Sequence, residues 1–230
     1  MIAMKSEIMM KRIASAVAVG FAIASIPLFA MGATKAPSRT AVKAAAVVCK
    51  ATNAKGHTPK AVKAPTKLLK GRIGTFTLVT NCGNVVIRTD GIKAPITITA
   101  FTALAKAGYF NATLCHRLTT AGLYVLQCGD PTATGTGGPG FTFSDENLPK
   151  NVVNNYPAGT VAMANSGPST NGSQFFLVFA NTTLGPNYTI WGKITSGMNI
   201  VQAIAAAGVV GGGTDGTPKK TIAIEKVIVG

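Results

Sequence analysis

The sequence predicts a mostly β fold in the C-terminal part of the chain, a barrel or sandwich with two helices. After residue 70, about eight short apolar runs alternate with glycine-rich turns, and only two segments space their apolar residues as a helix does. The same part holds eight of the ten Phe, all four Tyr and the only Trp, which are the large side chains that a core needs. Many strands with two separated helices are typical of a barrel or sandwich.

The predicted strands occur in neighbouring pairs along the chain. The first pair flanks Asn81-Cys82-Gly83, which is a hairpin signal. The last strand has apolar residues at Ile222 and Ile224 and then shifts to Val227 and Val229, which predicts a β-bulge. The predicted segments are 75–80, 84–90, 113–120, 123–128, 160–165, 174–180, 188–195 and 221–230.

Two segments are predicted to be helices. The first, "APITITAFTALAKAG", has Pro95 near its start, where proline suits the first turn, and Gly108 at its end. The second, "SGMNIVQAIAAAG", offers Ser196 as its N-cap and Gly208 as the residue that ends it. Each segment carries one apolar stripe, so each helix is expected to pack a single face on the sheet.

Composition divides the chain near residue 70. Residues 1–70 carry 12 Lys and Arg against one acid, a net charge of +11, whereas residues 71–230 carry 10 against 6, a net charge of +4. Residues 1–33 place Lys and Arg before a long apolar run, which predicts a signal peptide or an N-terminal membrane anchor. Residues 34–70 hold nine basic residues, no acid and no aromatic residue, so we expect a disordered basic linker. Residues 71–230 form the predicted folded domain.

The predicted signal places the protein outside the cytoplasm, either secreted or associated with the membrane or cell wall. In that environment its four cysteines, Cys49, Cys82, Cys115 and Cys128, can form disulfides. Three complete pairings exist, and the spacing of the cysteines does not choose among them. The basic linker is suited to adhere to anionic cell-surface polymers or lipids, while nucleic acid is not an expected partner of an exported protein.

The folded domain is poor in the groups that most kinds of catalysis use. His116 is its only histidine, the cysteine spacing matches no zinc site, and no G-x-S-x-G elbow occurs. Asp145 and Glu146 are adjacent, so they point to opposite faces of an extended segment and make a poor glycosidase pair. The glycines of 135–140 match G-x-G-x-x-G, but no strand–turn–helix unit surrounds them, which argues against a nucleotide site. We therefore expect an activity that needs no metal, no cofactor and no proton transfer.

A long series of motifs points to one family. The motifs are "CHRLTTAGLYVLQCGDPTATGTGGPGF", "SDENL" and "MANSGPSTNGSQFF", with "TNCGNVVI", "APITITAF" and "LAKAGYF" upstream, and they span residues 74–230. In type and order they resemble the cyclophilins, which are peptidyl-prolyl cis-trans isomerases. The resemblance implies a closed eight-stranded antiparallel β-barrel capped by two α-helices. It also implies catalysis of rotation about X–Pro bonds, in which no bond is broken and no cofactor takes part.

The resemblance assigns roles to individual residues. Arg117 would donate a hydrogen bond to the prolyl nitrogen, Gln127 would hold Arg117 and the substrate backbone, and Phe176 would form the floor of the proline pocket. His116 is a structural neighbour of this site rather than a base. The further positions that match substrate-binding residues of the family are Tyr124, Ala164, Asn165, Gln174, Leu184 and Tyr188.

The chain departs from the family pattern at several of these positions. The segment between Arg117 and Gln127 is longer than in animal cyclophilins, and Tyr124 stands where the family usually has Phe. Leu184 stands where the family usually has a Trp that lines the binding site for the cyclic peptide cyclosporin. Tyr188 stands where a His often lines the pocket.

The sequence thus predicts a monomeric, exported prolyl isomerase that acts on proline-containing polypeptides and assists the folding of exported proteins. Two alternatives remain open. The first is a module that binds proline-containing segments with weak turnover, which the missing Trp motivates. The second is a surface protein that attaches through its basic tether.

Overall fold

The computed structural model describes residues 46–230. The predicted signal peptide or anchor, residues 1–33, and the first part of the predicted linker, residues 34–45, lie outside the described residues. Within the described range, no helix is both long enough and apolar enough to cross a membrane.

Ten strands form one antiparallel sheet that curls into a half-barrel. In chain order they are β1 Thr75–Thr80, β2 Gly83–Thr89, β3 Thr113–Leu114, β4 Arg117–Ala121, β5 Leu123–Cys128, β6 Thr160–Met163, β7 Phe175–Val178, β8 Ile190–Ser196, β9 Asp215–Gly216 and β10 Ala223–Val229. Their order across the sheet is β3-β10-β1-β2-β8-β6-β7-β5-β4-β9. The predicted bulge in the last strand is confirmed, because Val79 pairs with Lys226 while Thr80 pairs with Ile224, which leaves Glu225 as the extra residue.

The prediction of a closed eight-stranded barrel is wrong in both strand number and closure. The predicted strand 113–120 is interrupted, and its two parts belong to different ladders: β3 pairs with β10, whereas β4 pairs with β5. Cys115 and His116 connect these two parts, and the backbone N–H of Cys115 donates to the carbonyl oxygen of Ile222 at 3.0 Å. The end strands of the sheet, β3 and β9, have only two residues each and share no hydrogen-bonded ladder.

Both predicted helices form. Helix α1 spans Pro95–Lys106 with proline in its first turn, and Gly108 follows its end with φ of +71°. The side chain of Glu146 reaches the start of this helix from elsewhere in the chain, where its carboxylate accepts hydrogen bonds from the backbone N–H groups of Ile96 (3.2 Å) and Thr97 (2.6 Å). A negative charge at a helix N-terminus is favourable, so Glu146 has a structural role.

Helix α2 spans Met198–Ala207, but Ser196 is not its N-cap. Ser196 ends β8, and Gly197 takes the cap position with φ of +84°. A Cβ atom on Gly197 would lie 2.3 Å from the backbone oxygen of Asn84 on β2. The close approach of two backbones therefore selects glycine at the cap, and the serine stays in the strand.

Two apolar clusters lie on opposite faces of the central strands. The main core is centred on the fully buried Trp191, whose ring lies 4.7 Å from Phe101 and 5.8 Å from Phe175, centroid to centroid. A smaller cluster consists of Val125, Tyr156, Ala162, Phe176 and Val178. Since side chains alternate along a strand, β7 sends Phe175 into the main core and Phe176 into the smaller cluster.

Residues 46–70, which we call the strap, lie along the folded domain without forming a helix or strand. A disulfide joins Cys49 to Cys82 in the turn between β1 and β2, and Val47 and Val62 pack against the main core. The backbone N–H of Leu69 also donates to the hydroxyl of Thr99 on α1, at 2.8 Å. The expectation of disorder over 34–70 therefore does not hold for the described part of that segment, because a covalent bond and apolar contacts offset the cost of ordering it.

Candidate active site

Three predicted site residues stand side by side on neighbouring strands. Arg117 on β4 is directly paired with Gln127 on β5, and Gln127 is paired with Phe176 on β7. Directly paired residues of an antiparallel sheet project from the same face. The fold therefore brings a guanidinium group, an amide and an aromatic ring into one row.

The polar side chains of this row are linked to a nearby loop. Arg117 Nη1 donates to Gln127 Oε1 at 3.2 Å, and Gln127 Nε2 donates to Gln174 Oε1 at 2.8 Å. Gln174 Nε2 in turn donates to the carbonyl oxygens of Gly135 and Gly137, each at 2.9 Å. The predicted polar wall residue Gln174 thus connects the row to the glycine-rich segment after β5.

The glycine-rich segment, residues 132–140, folds around a buried carboxylate and not around a phosphate. Asp130 is fully buried and accepts hydrogen bonds from the backbone N–H groups of Thr132, Thr134, Gly135 and Gly137 at 2.7–3.1 Å. A Cβ atom on Gly137 would lie 2.0 Å from Asp130 Oδ1, so only glycine fits there. We call this segment, including Asp130, the Asp130 loop.

A groove of about 520 Å³ runs between the Asp130 loop and the segment after β6. Gln127 and Gln174 line this groove, and so do the predicted residues Ala164 and Asn165. Ala164 N–H donates to the carbonyl oxygen of Gln174 at 3.0 Å, and Asn165 Nδ2 donates to that of Asn187 at 2.8 Å. These bonds fix the chain segment that lines this part of the groove.

The smaller apolar cluster adjoins this polar row. Phe176 is only 5% exposed, and its ring meets Tyr188 edge-on with centroids 5.7 Å apart. Half-buried Ala164, Leu184 and Tyr188 pack around the cluster, so these predicted residues are brought together with Phe176. The Tyr156 hydroxyl donates to the carbonyl oxygen of Tyr188 at 3.1 Å and holds the segment that carries it.

Tyr124 stands apart from the other predicted site residues. Its ring packs edge-on against Phe179, with centroids 5.9 Å apart, and it is not a member of the cluster around Phe176. From β5, Leu123 and Val125 contribute to that cluster instead. The reason is alternation along the strand, which places Tyr124 on the face opposite Val125 and Gln127.

Asp215 is a site residue that sequence reasoning missed. Its carboxylate accepts from Arg117 Nε at 2.8 Å and from Arg117 Nη2 at 2.6 Å. This contact raises the pKa of Arg117 and lowers the pKa of Asp215. Asp215 lies in "GGGTDGTPKK", where no recognisable motif surrounds it, and only the pairing of β9 with β4 brings it to Arg117.

His116 directly precedes Arg117, and both of its ring nitrogens are buried without a hydrogen-bond partner among the described residues. It is half-buried, and burial lowers its pKa, with a smaller opposing effect of Asp130. Residues 46–230 also contain no group of three or more His, Cys, Asp or Glu side chains that could hold a metal ion.

Comparisons with known proteins agree with this arrangement. The sequence profile of the family described as "Cyclophilin type peptidyl-prolyl cis-trans isomerase/CLD" matches residues 75–229. The chain is 45% identical over 188 residues to a "Probable peptidyl-prolyl cis-trans isomerase B" of Mycobacterium tuberculosis (strain H37Rv), which covers 74% of this chain and 61% of that protein. A protein of the same name from Mycobacterium leprae is 43% identical over 182 residues, covering 74% and 60%. This chain therefore spans less than two thirds of the length of these curated relatives.

A solved structure supports the same assignment. The cyclophilin type peptidyl-prolyl cis-trans isomerase of Cryptosporidium parvum matches with a TM-score of 0.60 and 26% identity, covering 69% of this chain and 98% of that one. The same protein was also solved in the presence of the dipeptide Ala-Pro, and that structure matches with a TM-score of 0.59. The matched profile, the relatives and the solved structures together show that this chain belongs to the cyclophilin family of peptidyl-prolyl cis-trans isomerases.

Proposed function

We propose that this protein catalyses cis-trans isomerisation of X–Pro bonds in polypeptides. The observation that carries the proposal is the row of Arg117, Gln127 and Phe176, in which a fixed guanidinium group stands next to an apolar cluster. Membership of the cyclophilin family supports the same activity.

The chemistry of the reaction fits this row. The peptide bond resists rotation with a barrier of about 18–20 kcal/mol because rotation destroys amide resonance. In the twisted transition state the prolyl nitrogen regains its lone pair. A donor such as Arg117 stabilises that state more than the planar ground state, which is the requirement for catalysis.

The surroundings of the row suit a proline-containing segment. The apolar side chains around Phe176 can receive the prolyl ring, while the groove beside Ala164 and Asn165 offers fixed backbone for an extended peptide. The related Cryptosporidium protein has been solved in the presence of Ala-Pro, which supports the same class of substrate here.

A peptide assay tests the proposal. The full chain would be mixed with a proline-containing peptide, and the rate of cis-trans exchange would be measured by exchange NMR spectroscopy. We expect a rate well above the uncatalysed one, for which isomerisation takes about 10–100 s. If the peptide binds but exchanges no faster than in buffer, the protein is instead a module that binds proline segments.

We further propose that the protein works outside the cytoplasm, on exported clients whose folding it assists. All four cysteines are paired, as Cys49–Cys82 and Cys115–Cys128. Such disulfides form and persist in oxidising compartments and are rare in the cytosol. Fractionation of the source cells tests this proposal, together with N-terminal sequencing of the protein recovered. Recovery from the cytosol with free thiols would contradict it.

Attachment to an anionic cell surface remains a second candidate function. It is favoured by six exposed lysines on the strap, at positions 50, 55, 60, 63, 67 and 70, with no acid among residues 46–70. Exchanging these lysines for glutamine should then abolish salt-sensitive retention on anionic vesicles and leave the isomerase rate unchanged.

A further inference from the structure

Arg117 is held by a carboxylate that comes from a distant part of the chain. Asp215 is 98 residues away in sequence, yet its two oxygens accept from Nε at 2.8 Å and from Nη2 at 2.6 Å. Two parallel hydrogen bonds of this kind fix both the position and the plane of a guanidinium group. A contact through one oxygen would leave the plane free to turn.

The sheet places Asp215 where it can do this. Strand β9 pairs with the strand that carries Arg117, and Asp215 lies directly opposite Thr119. Since Arg117 and Thr119 are two residues apart on β4, they share a face of the sheet with Asp215. The backbone N–H of Thr120 also donates to the carbonyl oxygen of Thr214, at 2.8 Å, which holds β9 against β4.

The loop that carries Asp215 is closed at its base. Val209 and Pro218 form an isolated antiparallel bridge, and the backbone N–H of Val210 donates to the carbonyl oxygen of Thr217 at 2.9 Å. Val209 is 3% exposed, so the base of the loop is anchored in the core. The carboxylate therefore has a defined position even though its own side chain is exposed.

We propose that Asp215 is a positioning residue for the isomerase reaction, one that aligns Arg117 for the prolyl nitrogen. The inference rests on the proposed activity and deepens it. Arginine has five N–H groups. Among the described residues, Asp215 uses two of them and Gln127 uses one, which leaves two N–H groups of a fixed guanidinium for the substrate.

Orientation explains this pair better than stability does. The side chains of Arg117 and Asp215 are 40% and 52% exposed, and exposed ion pairs contribute little to the free energy of unfolding. The carboxylate offsets part of the positive charge next to the reacting nitrogen. This reduction of the positive charge is tolerable because the transition state is stabilised by a donor directed at one lone pair. That stabilisation decreases steeply when the donor is misplaced.

Three experiments on the full chain test the inference. Asp215→Ala should lower kcat about tenfold and change KM by less than about twofold, because the donor remains but is no longer aligned. Asp215→Asn keeps the shape of the side chain and one accepting oxygen, so its kcat should lie between those of the wild type and Asp215→Ala. In NMR spectra, the Arg117 Nε–H signal should be sharp and protected in the wild type and broadened in Asp215→Ala.

A double-mutant cycle separates positioning from any independent effect. In an Arg117→Lys background, which lacks the planar fork, the same Asp215→Ala change should lower kcat by less than about twofold. Asp90→Ala is the matched control, since Asp90 belongs to the other ion pair of the described residues, with Lys93 in the turn before α1. It should leave kcat and the Arg117 signal unchanged.

The outcomes distinguish this inference from the proposed activity. If the wild type does not accelerate exchange, the proposed function fails, while the Arg117 signal still reports on the contact. If the wild type is active and Asp215→Asn and Asp215→Ala match it in kcat, the inference fails. It also fails if Asp215→Ala costs the same factor in both backgrounds of the cycle.

Discussion

Arg117 and Gln127 face each other across the ladder of β4 and β5, with Arg117 Nη1 3.2 Å from Gln127 Oε1. Gln127 is itself held by Gln174, and Gln174 by two carbonyl groups of the Asp130 loop. The donor of the proposed reaction is therefore supported through side chains that are each fixed in turn. Such support is what preorganisation of a catalytic group requires, because the group need not reorganise as the substrate rotates.

Replacement of Arg117 should remove most of the activity and little of the stability. We expect Arg117→Ala to lower kcat/KM by about two to three orders of magnitude, since one lost transition-state hydrogen bond corresponds to roughly 3–4 kcal/mol. Because the side chain is partly exposed, the midpoint of urea unfolding should shift little. Exchange NMR with a proline peptide measures the rate. An Arg117→Ala protein with near-normal turnover would remove Arg117 from the mechanism.

The Asp130 loop should make the free energy of unfolding decrease at acidic pH. Burial disfavours the charged carboxylate of Asp130, but hydrogen bonds from Thr132, Gly137 and Gly135 outweigh it and lower the pKa. A carboxyl group with a lowered pKa contributes stability that is complete above the unfolded pKa of about 3.9 and is lost as pH falls through the folded value. Wild-type stability should therefore drop below about pH 4.

Asp130→Asn provides the matched comparison. At pH 7 the amide presents an N–H₂ group to backbone donors, so we expect a loss of about 2–4 kcal/mol in the free energy of unfolding. Urea unfolding at pH 7, 5 and 3 should show the two proteins converging in acid. Asp215, whose pKa is also lowered, acts in both proteins and cancels in the difference. His116 does not cancel fully, because the charge of Asp130 raises its pKa in the wild type and is absent from Asp130→Asn. A gap that stays constant with pH would show that the charge of Asp130 is not what stabilises the loop.

The Cys49–Cys82 disulfide should protect the strap without affecting turnover. Its 33-residue separation predicts a stabilisation of about 3–4 kcal/mol from restriction of the unfolded chain. In Cys49→Ala/Cys82→Ala we expect faster tryptic cleavage at the strap lysines and a lower unfolding midpoint. The kcat should be unchanged, because neither cysteine lines the groove or belongs to the cluster around Phe176. Equal cleavage rates in the two proteins would mean that noncovalent contacts alone hold the strap.

Removal of the second disulfide, in Cys115→Ala/Cys128→Ala, should have a different effect from removal of the first. This disulfide has a separation of 13 residues, so the predicted stabilisation is similar, about 3 kcal/mol. Cys128 directly follows Gln127, and Cys115 lies two residues before Arg117. This variant should therefore lose activity as well as stability, whereas the strap should remain protected from trypsin.

Local patterns in the sequence predicted the elements that depend on local physics. The proline at the start of α1 and the shifted apolar positions in β10 are such features, and both predictions are confirmed. The motif match also assigned Arg117, Gln127 and Gln174 to one site, and hydrogen bonds join their side chains, while their roles in the reaction stay predictions.

Features that depend on distant parts of the chain could not be predicted in this way. Composition favoured disorder over 34–70 because this segment has little apolar surface to bury. It could not show that a disulfide to Cys82 holds the strap. Ser196 has the ideal chemistry for an N-cap, but the backbone of β2 leaves room only for Gly197. Asp215 reaches Arg117 through a two-residue strand that no periodicity could indicate.

Compared with a Trp at the same position, Leu184 should weaken cyclosporin binding more than it lowers the rate of turnover. Asn155 holds its backbone through two hydrogen bonds, of 3.0 Å to Leu184 N–H and 2.7 Å to its carbonyl oxygen, and the side chain packs beside Phe176. By resemblance to the family, a Trp at this position lines the cyclosporin site and can donate from its indole N–H. Without that hydrogen bond, the binding free energy of cyclosporin is less favourable by about 0.5–1.5 kcal/mol. The missing ring area costs a comparable amount, at about 25 cal/mol per Å².

Leu184→Trp should therefore tighten cyclosporin binding by roughly one to two orders of magnitude, since about 1.4 kcal/mol corresponds to a factor of ten. Small proline peptides depend chiefly on Arg117, Gln127 and Phe176, so kcat/KM for them should rise far less. Calorimetric titration of both proteins measures the binding, and exchange NMR measures the turnover. Leu184→Phe is the control, because it adds ring area without an N–H donor and should recover only part of the affinity. Tight binding by the wild type that does not change in Leu184→Trp would show that position 184 does not contact the cyclic peptide.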